Sequence, residues 1–207
     1  MTTFASPLQN RVTPFGNIVA IPQRGTLMGN RGCLHDDQGV IRHYWKGQRW
    51  ITCVLAHKSN QVPLRAPGRY TPLFFKDEVS ALAAGHRPCA KCRRSAYRNF
   101  VSAIEKSYRL NPGSLRADDI DAMLHKQRVR SVQERPRLRP DTARRLPVGT
   151  MLCFEETPLV VLPGGIECWD WVVRREYKPT TSLILLTPPL ILAALTNGYQ
   201  PLEARAL

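Results

Sequence analysis

Through residues 11–75, apolar runs are short and separated by turn residues. Gly16, Gly25, Gly29-Asn30, Gly32, Gly39, Gly47 and Pro67-Gly68 divide stretches such as 17–21, 50–56 and 69–75. Such spacing predicts several short strands. The period changes at Asp77, which is placed to cap a short helix with Val79, Leu82 and Ala83 inward, while Gly85 ends it in the left-handed region. A second helix is predicted after Pro88, running to about Tyr108. Its Tyr97, Phe100, Val101, Ile104 and Tyr108 keep the spacing of one buried stripe, and Arg93, Arg94, Arg98 and Lys106 occupy the other face. Asn111-Pro-Gly closes it, and a third helix is predicted over 118–126 with Ile120, Met123 and Leu124 inward.

Residues 126–147 carry eight basic side chains, Pro136 and Pro140, with almost no periodicity. They read as an arginine-rich connector able to order on a phosphate backbone. Strand patterns return at 150–154, 159–162, 166–173 and 182–186, with Pro163-Gly164-Gly165 as a hairpin turn. Thr187-Pro188-Pro189 then starts a helix over 190–195, with the Thr187 hydroxyl as its cap and Asn197-Gly198 as its end. The pattern as a whole predicts an α+β protein: a mixed β/α domain over 1–126, a connector over 127–147, and a small β-rich module over 148–207 ending in a helix.

Composition narrows the class. At 207 residues the chain has room for one domain with a real core and a small second module. The most apolar stretch, 182–195, falls short of the roughly 20 residues a spanning helix requires and contains two prolines. The first residues lack the basic and apolar regions of a secretory signal, so a cytoplasmic protein without a membrane span is expected. In a reducing compartment, six cysteines favour metal binding over disulfides.

The net charge of +14 is unevenly spread. The first 145 residues hold 26 basic against 10 acidic side chains, whereas 146–207 are net acidic. A field of this kind attracts polyanions, of which nucleic acid is the commonest in the cytoplasm. The acidic module over 148–207 could instead dock a protein partner.

Cys89-Ala-Lys-Cys92 stands at the predicted start of the second helix, where free amides and the positive helix end stabilise the thiolates that bind zinc. Cys-x-x-Cys also serves redox chemistry, but that use suits a preceding strand, and the element before this motif reads as a helix. A tetrahedral site needs four ligands. Cys53, in the strand over 50–56, is the expected third, with a buried core thiol as the alternative. Cys33 is the expected fourth, with His35 as its substitute. Cys153 and Cys168 read as core, and His57, His86 and His125 are assigned no role.

The stretch Leu73-Phe-Phe-Lys-Asp-Glu-Val-Ser-Ala-Leu-Ala-Ala-Gly-His-Arg-Pro-Cys-Ala-Lys-Cys-Arg93 resembles the end of the zinc-binding N-terminal domain of the Ada DNA-repair proteins. The likeness covers about twenty residues. It implies four-cysteine zinc (Zn2+) coordination, DNA contact by basic residues around the site, and methyl transfer from a phosphotriester to a zinc-bound cysteine. Upstream the pattern departs, since the family supplies a ligand pair with three residues between, and Cys33 and Cys53 have nineteen between.

The expected function is DNA binding in repair, modification or defence. Arg87, Lys91, Arg93, Arg94 and Arg98 are expected to meet phosphates, supplemented by Arg128, Arg130, Arg135, Arg137 and Arg139. The rival is an enzyme that transfers alkyl groups or cleaves nucleic acid at the metal. Asp118, Asp119 and Asp121 near His125 suggest a nuclease only weakly, because acids in a first helical turn ordinarily satisfy its dipole. No phosphate-binding loop, nucleophile elbow or dinucleotide fingerprint is present in the sequence.

Overall fold

A computed structural model describes residues 7–57, 63–64, 66–128 and 134–202. Among these the chain is α+β, with two six-stranded sheets and five helices. The first sheet contains β1 (Gln9–Val12), β2 (Ile18–Ala20), β3 (Leu27–Asn30), β4 (Ile51–Val54), β5 (Leu73–Phe75) and β6 (Arg87–Pro88). Its order is β2-β1-β5-β3-β4-β6, antiparallel except where β1 meets β5 and β4 meets β6. Helices α1 (Glu78–Ala83), α2 (Arg94–Ser107) and α3 (Ala117–Arg128) complete this part.

The second sheet is antiparallel throughout. It contains β7 (Arg137–Leu138), β8 (Met151–Phe154), β9 (Thr157–Leu162), β10 (Gly165–Cys168), β11 (Arg175–Glu176) and β12 (Leu183–Leu185), in the order β11-β10-β9-β8-β12-β7. Helix α4 (Pro140–Arg144) leads into it and α5 (Pro189–Thr196) follows it.

The small residues of α1 explain its position. Every one of its residues is buried, and successive side chains enter three different cores. Ala81 packs with Val12, Leu27, Leu73 and Phe75 of the first sheet. Val79 and Ala83 pack with Met151, Cys153, Val160 and Trp169 of the second, and Leu82 packs with Phe100, Ile104 and Ile120 of the helical core. Asp77 caps the helix by accepting from the Ser80 amide at 2.8 Å, while its other oxygen accepts from Trp169 Nε1 at 3.0 Å. One carboxylate therefore fixes both the helix start and the second sheet.

Two expectations change here. The described part of the connector is built into the second sheet: β7 pairs with β12, and Leu138, Ala143 and Leu146 join its core. A two-residue strand and a five-residue helix are too short to show a period. The boundary near 147 separates the sheets but not the cores, because Leu190, Ile191, Ala194 and Leu195 of α5 pack with α2 and α3. Thr187 does not cap α5; its hydroxyl accepts from the Met151 amide at 2.8 Å, and Gln127 of α3 accepts from the Leu190 amide at 2.9 Å.

Gly85 ends α1 at φ +84°, and a Cβ there would meet Arg128 Cδ at 2.8 Å. Gly85→Ala is expected to cost about 1–3 kcal/mol, from left-handed strain and displacement of the Arg128 side chain. An unchanged urea midpoint would show that neither term operates.

Candidate metal centre

The site begins with strand pairing. Strand β4 runs parallel to β6, with Ile51 beside Arg87 and Thr52 beside Pro88, and the ladder continues as the Cys89 amide donates to Thr52 O at 2.9 Å. This extension brings Cys89 alongside Cys53. The chain then turns, with the Arg93 amide donating to Cys89 O at 3.1 Å, and α2 begins at Arg94. Cys92 returns over the pair on that turn. The thiol sulfurs of Cys53, Cys89 and Cys92 all lie within 4.8 Å of one another.

Burial and hydrogen bonding divide the three thiols. The Cys89 thiol is lowered to about 4, chiefly by the hydrogen bond from Cys53 and further by the Cys92 and Lys91 amides, against the effect of burial. The Lys91 amide lies 3.4 Å from its sulfur. Cys53 is pushed far up by donating to Cys89 and by its own burial, and burial also raises Cys92. One thiolate beside two protonated thiols is a donor set for a soft or borderline cation, because binding the ion releases the remaining protons. Around a tetrahedral zinc the sulfurs would sit about 3.8 Å apart, so the cluster needs only a small contraction. Cys53, Cys89 and Cys92 thus form a group able to hold a metal ion.

The element directly before the motif is the short strand β6 rather than the expected helix. A third thiol within reach of the pair nevertheless favours metal binding over dithiol exchange.

Cys33 and His35 do not join the cluster. The Cys33 sulfur faces His35 O at 3.6 Å, and the His35 ring is buried with Nδ1 2.6 Å from the Thr71 hydroxyl and Nε2 3.3 Å from Ala66 O. Both ring nitrogens are already engaged. Cys153 on β8 is buried in the core of the second sheet, as expected, and Cys168 on β10 is partly buried against that sheet's other core cluster.

The basic residues separate into two groups. Lys91, Arg94 and Arg98 are exposed next to the cysteines, and Arg137 and Arg139 are exposed elsewhere. Arg87 and Arg93 are buried in ion pairs, so neither reaches a phosphate. Arg87 holds both oxygens of Asp121 at 2.8 and 2.7 Å. Arg93 donates to Glu78 at 2.6 Å and to the Thr52 hydroxyl at 2.9 Å. Arg128 is also buried, over the Trp50 ring, and Arg135 is half-buried with its guanidinium on Leu186 O. Arg130 lies outside the described residues.

Glu78 is the residue that sequence pattern missed. It accepts from Arg93, from the Tyr199 hydroxyl at 2.5 Å and from the Leu202 amide at 2.8 Å, and so ties the metal-site turn to the end of the chain. An acid in the first turn of a helix gave no sign of this. Beside Cys92 opens a cleft of about 580 Å3, lined by Val54, Arg94, Asn99, Tyr199 and Gln200 among others. Among the described residues no helix is long and apolar enough to cross a membrane. No family model, curated protein or solved structure matches the chain.

Proposed function

We propose that this chain is a zinc-dependent nucleic-acid-binding protein, acting on DNA in its repair, modification or defence. The carrying observation is the three-thiol cluster formed by Cys53 of β4 with Cys89 and Cys92 of the turn, beside the exposed Lys91 of that turn and the exposed Arg94 and Arg98 of the helix that follows it. Zinc suits three sulfur donors at this spacing. Held there, the ion would fix the turn and the start of α2, and with them the position of three cations. The Ada-like string ending at Arg93 supports the same reading.

Binding is expected to be weakly dependent on base sequence and steeply dependent on salt. Log affinity for a DNA duplex should fall linearly with log salt, by about one unit per phosphate contact. Replacing Arg94 and Arg98 with Ala should reduce the slope by about two units and leave the fold intact, since both side chains are exposed. Fluorescence anisotropy across a salt series checks this. An unchanged slope would remove these arginines from the interface.

A second reading, an enzyme acting at the metal, is favoured by one feature. Only three protein ligands converge among the described residues, and Cys92 borders the 580 Å3 cleft. A metal with three protein ligands and one exchangeable position is the arrangement of catalytic zinc, whereas four protein ligands close a structural site. X-ray absorption at the metal edge separates the two. Three sulfurs with one light exchangeable ligand supports catalysis, and a complete protein shell supports a structural ion.

A further inference from the structure

Residues 42–49, none of them part of the cysteine cluster, read Arg-His-Tyr-Trp-Lys-Gly-Gln-Arg; all eight are exposed. Tyr44 is 44% and Trp45 40% exposed, large values for aromatic rings. The loop is seated rather than loose. The Lys46 amide donates to Arg31 O at 2.8 Å, Trp50 Nε1 donates to Gly47 O at 3.2 Å, and the Arg128 guanidinium donates to Gln48 O. Trp45 rests edge-on against His125 at 4.6 Å between ring centroids.

Beneath this loop two guanidinium groups flank one indole. Arg31 and Arg128 each lie 4.2 Å from the Trp50 ring centroid, and Arg31 also lies 4.7 Å from that of Tyr44. Arg31 is wholly buried, with its Nε on His86 Nε2 at 3.2 Å, and the Tyr44 hydroxyl supports its charge against burial. Arg128 spends its terminal nitrogens on the carbonyls of Gly85 and Gln48. Neither forms an ion pair among the described residues, and Asp121, whose charge Arg128 feels, is held by both oxygens to Arg87. Burial lowers Arg31 to about 10 and Arg128 to about 9, so both remain charged at neutral pH. His86, packed between them, is held neutral by burial and by their charges.

Buried charge without a counter-ion is costly unless an anion completes it. Arg31 is covered and acts through its field rather than by contact. At the surface Arg42 pairs with Asp36 and Arg49 with Asp118, pairs exposed enough for phosphate to compete, while Asp37 and Asp119 are the further exposed acids nearby in sequence. Lys46 adds another cation. Two shallow grooves flank the loop: one of about 410 Å3 is lined by Arg42, His43 and Tyr44, the other of about 320 Å3 by Lys46 and Arg49 together with Asp118 and Asp121, carboxylates that pair with Arg49 and Arg87.

We propose that the 42–49 loop binds single-stranded nucleic acid, with bases stacked on Tyr44 and Trp45 and the backbone drawn along the flanking grooves by Arg42, Lys46 and Arg49. This deepens the nucleic-acid reading above and rests on it. Unpaired bases are the partner because a paired base hides its face inside the duplex, while an exposed ring can take only a free one.

The test measures anisotropy of labelled oligothymidylate, oligouridylate and a DNA duplex of equal length at low salt, on metal-loaded full-length protein. Wild type should prefer single strands, the two homopolymers showing which sugar is favoured. Tyr44→Ala and Trp45→Ala should each lose about tenfold on single strands and change duplex affinity less than about twofold. Tyr44→Phe and Trp45→Phe should keep most of the affinity. Oligothymidylate should quench wild-type tryptophan fluorescence, and Trp45→Phe should remove that quenching, a readout independent of the alanine variants. Duplex binding with no single-strand preference and no quenching would overturn this inference and leave the nucleic-acid reading standing. Wild type that binds neither form would end both.

Discussion

Cys89→Ser is expected to strip the protein of its metal and to abolish cooperative unfolding at 25 °C. Wild type should carry about one equivalent of zinc. Cys89 is the thiol already poised as a thiolate, held by Cys53 and by two backbone amides. The ion would join β4 to the turn before α2, where the edge strand β6 is only two residues long and pairs with β4 alone. The apolar cluster there, Met28, Cys53 and Cys89, is small, so the Arg87–Asp121 and Arg93–Glu78 ion pairs and the metal share the task of holding that edge. Structural zinc in small fingers contributes ~10–16 kcal/mol, comparable to the roughly 5–15 kcal/mol by which a whole domain is stable. Cys53→Ser should behave alike, whereas Cys33→Ser and Cys168→Ser should keep both metal and fold, since neither thiol is in the cluster. Metal analysis with thermal melts of the four variants decides the matter. Equal metal loss in Cys33→Ser would return that residue to the coordination shell.

Glu78→Ala is expected to cost about 3–5 kcal/mol, the usual consequence of removing one partner from a buried ion pair. The Arg93 and Glu78 side chains are 2% and 0% exposed. Burial alone would lower the Arg93 guanidinium, and the hydrogen bond and charge of Glu78 outweigh it; a guanidinium stays protonated even without a partner, so Glu78→Ala leaves Arg93 a buried, uncompensated cation. The Tyr199 hydroxyl and the Leu202 amide lose their acceptor as well. Glu78→Gln should lose less, about 1.5–3 kcal/mol, because an acceptor oxygen stays in place. Replacing Glu78 by Leu and Arg93 by Met together should recover most of the deficit, since an apolar pair needs no counter-charge. Urea unfolding of the three variants measures these differences. Arg93 also orients Thr52, next to Cys53, so Glu78→Ala should weaken metal binding about tenfold or more. A loss below about 1 kcal/mol would mean that water reaches Arg93 in the folded state.

Local signals carried much of the fold. Asp77 as cap, Gly85 as terminator, the Tyr97, Phe100, Val101 and Ile104 part of the stripe and the Pro163-Gly164 hairpin each act within a few residues, and the structure places them as read, while Tyr108 at the end of the stripe is exposed. The same holds for Cys53, where a strand ends beside a Cys-x-x-Cys turn. The connector failed as an expectation because its elements are held by distant partners, Leu138 by β12 and Ala143 by the second core. The packing of α5 on α2 and α3 was out of reach of local signals for the same reason, since α5 starts more than sixty residues beyond α3 and more than eighty beyond α2.

By itself, then, the sequence determined many of the elements outside the connector, the α+β class, the surplus of positive charge and the meeting of Cys53 with Cys89 and Cys92, because these depend on period, composition and short spacing. Which arginines face solvent depended on partners far along the chain. Arg93 and Arg94 are adjacent, yet one is buried against Glu78 and the other is exposed. Arg87 and Arg98 differ in the same way, through Asp121, thirty-four residues from Arg87. The exclusion of Cys33 and the buried cations at Trp50 were likewise decided only in three dimensions. Charge is written in the residue, but desolvation and pairing are properties of the packed surroundings, and only tertiary structure supplies those.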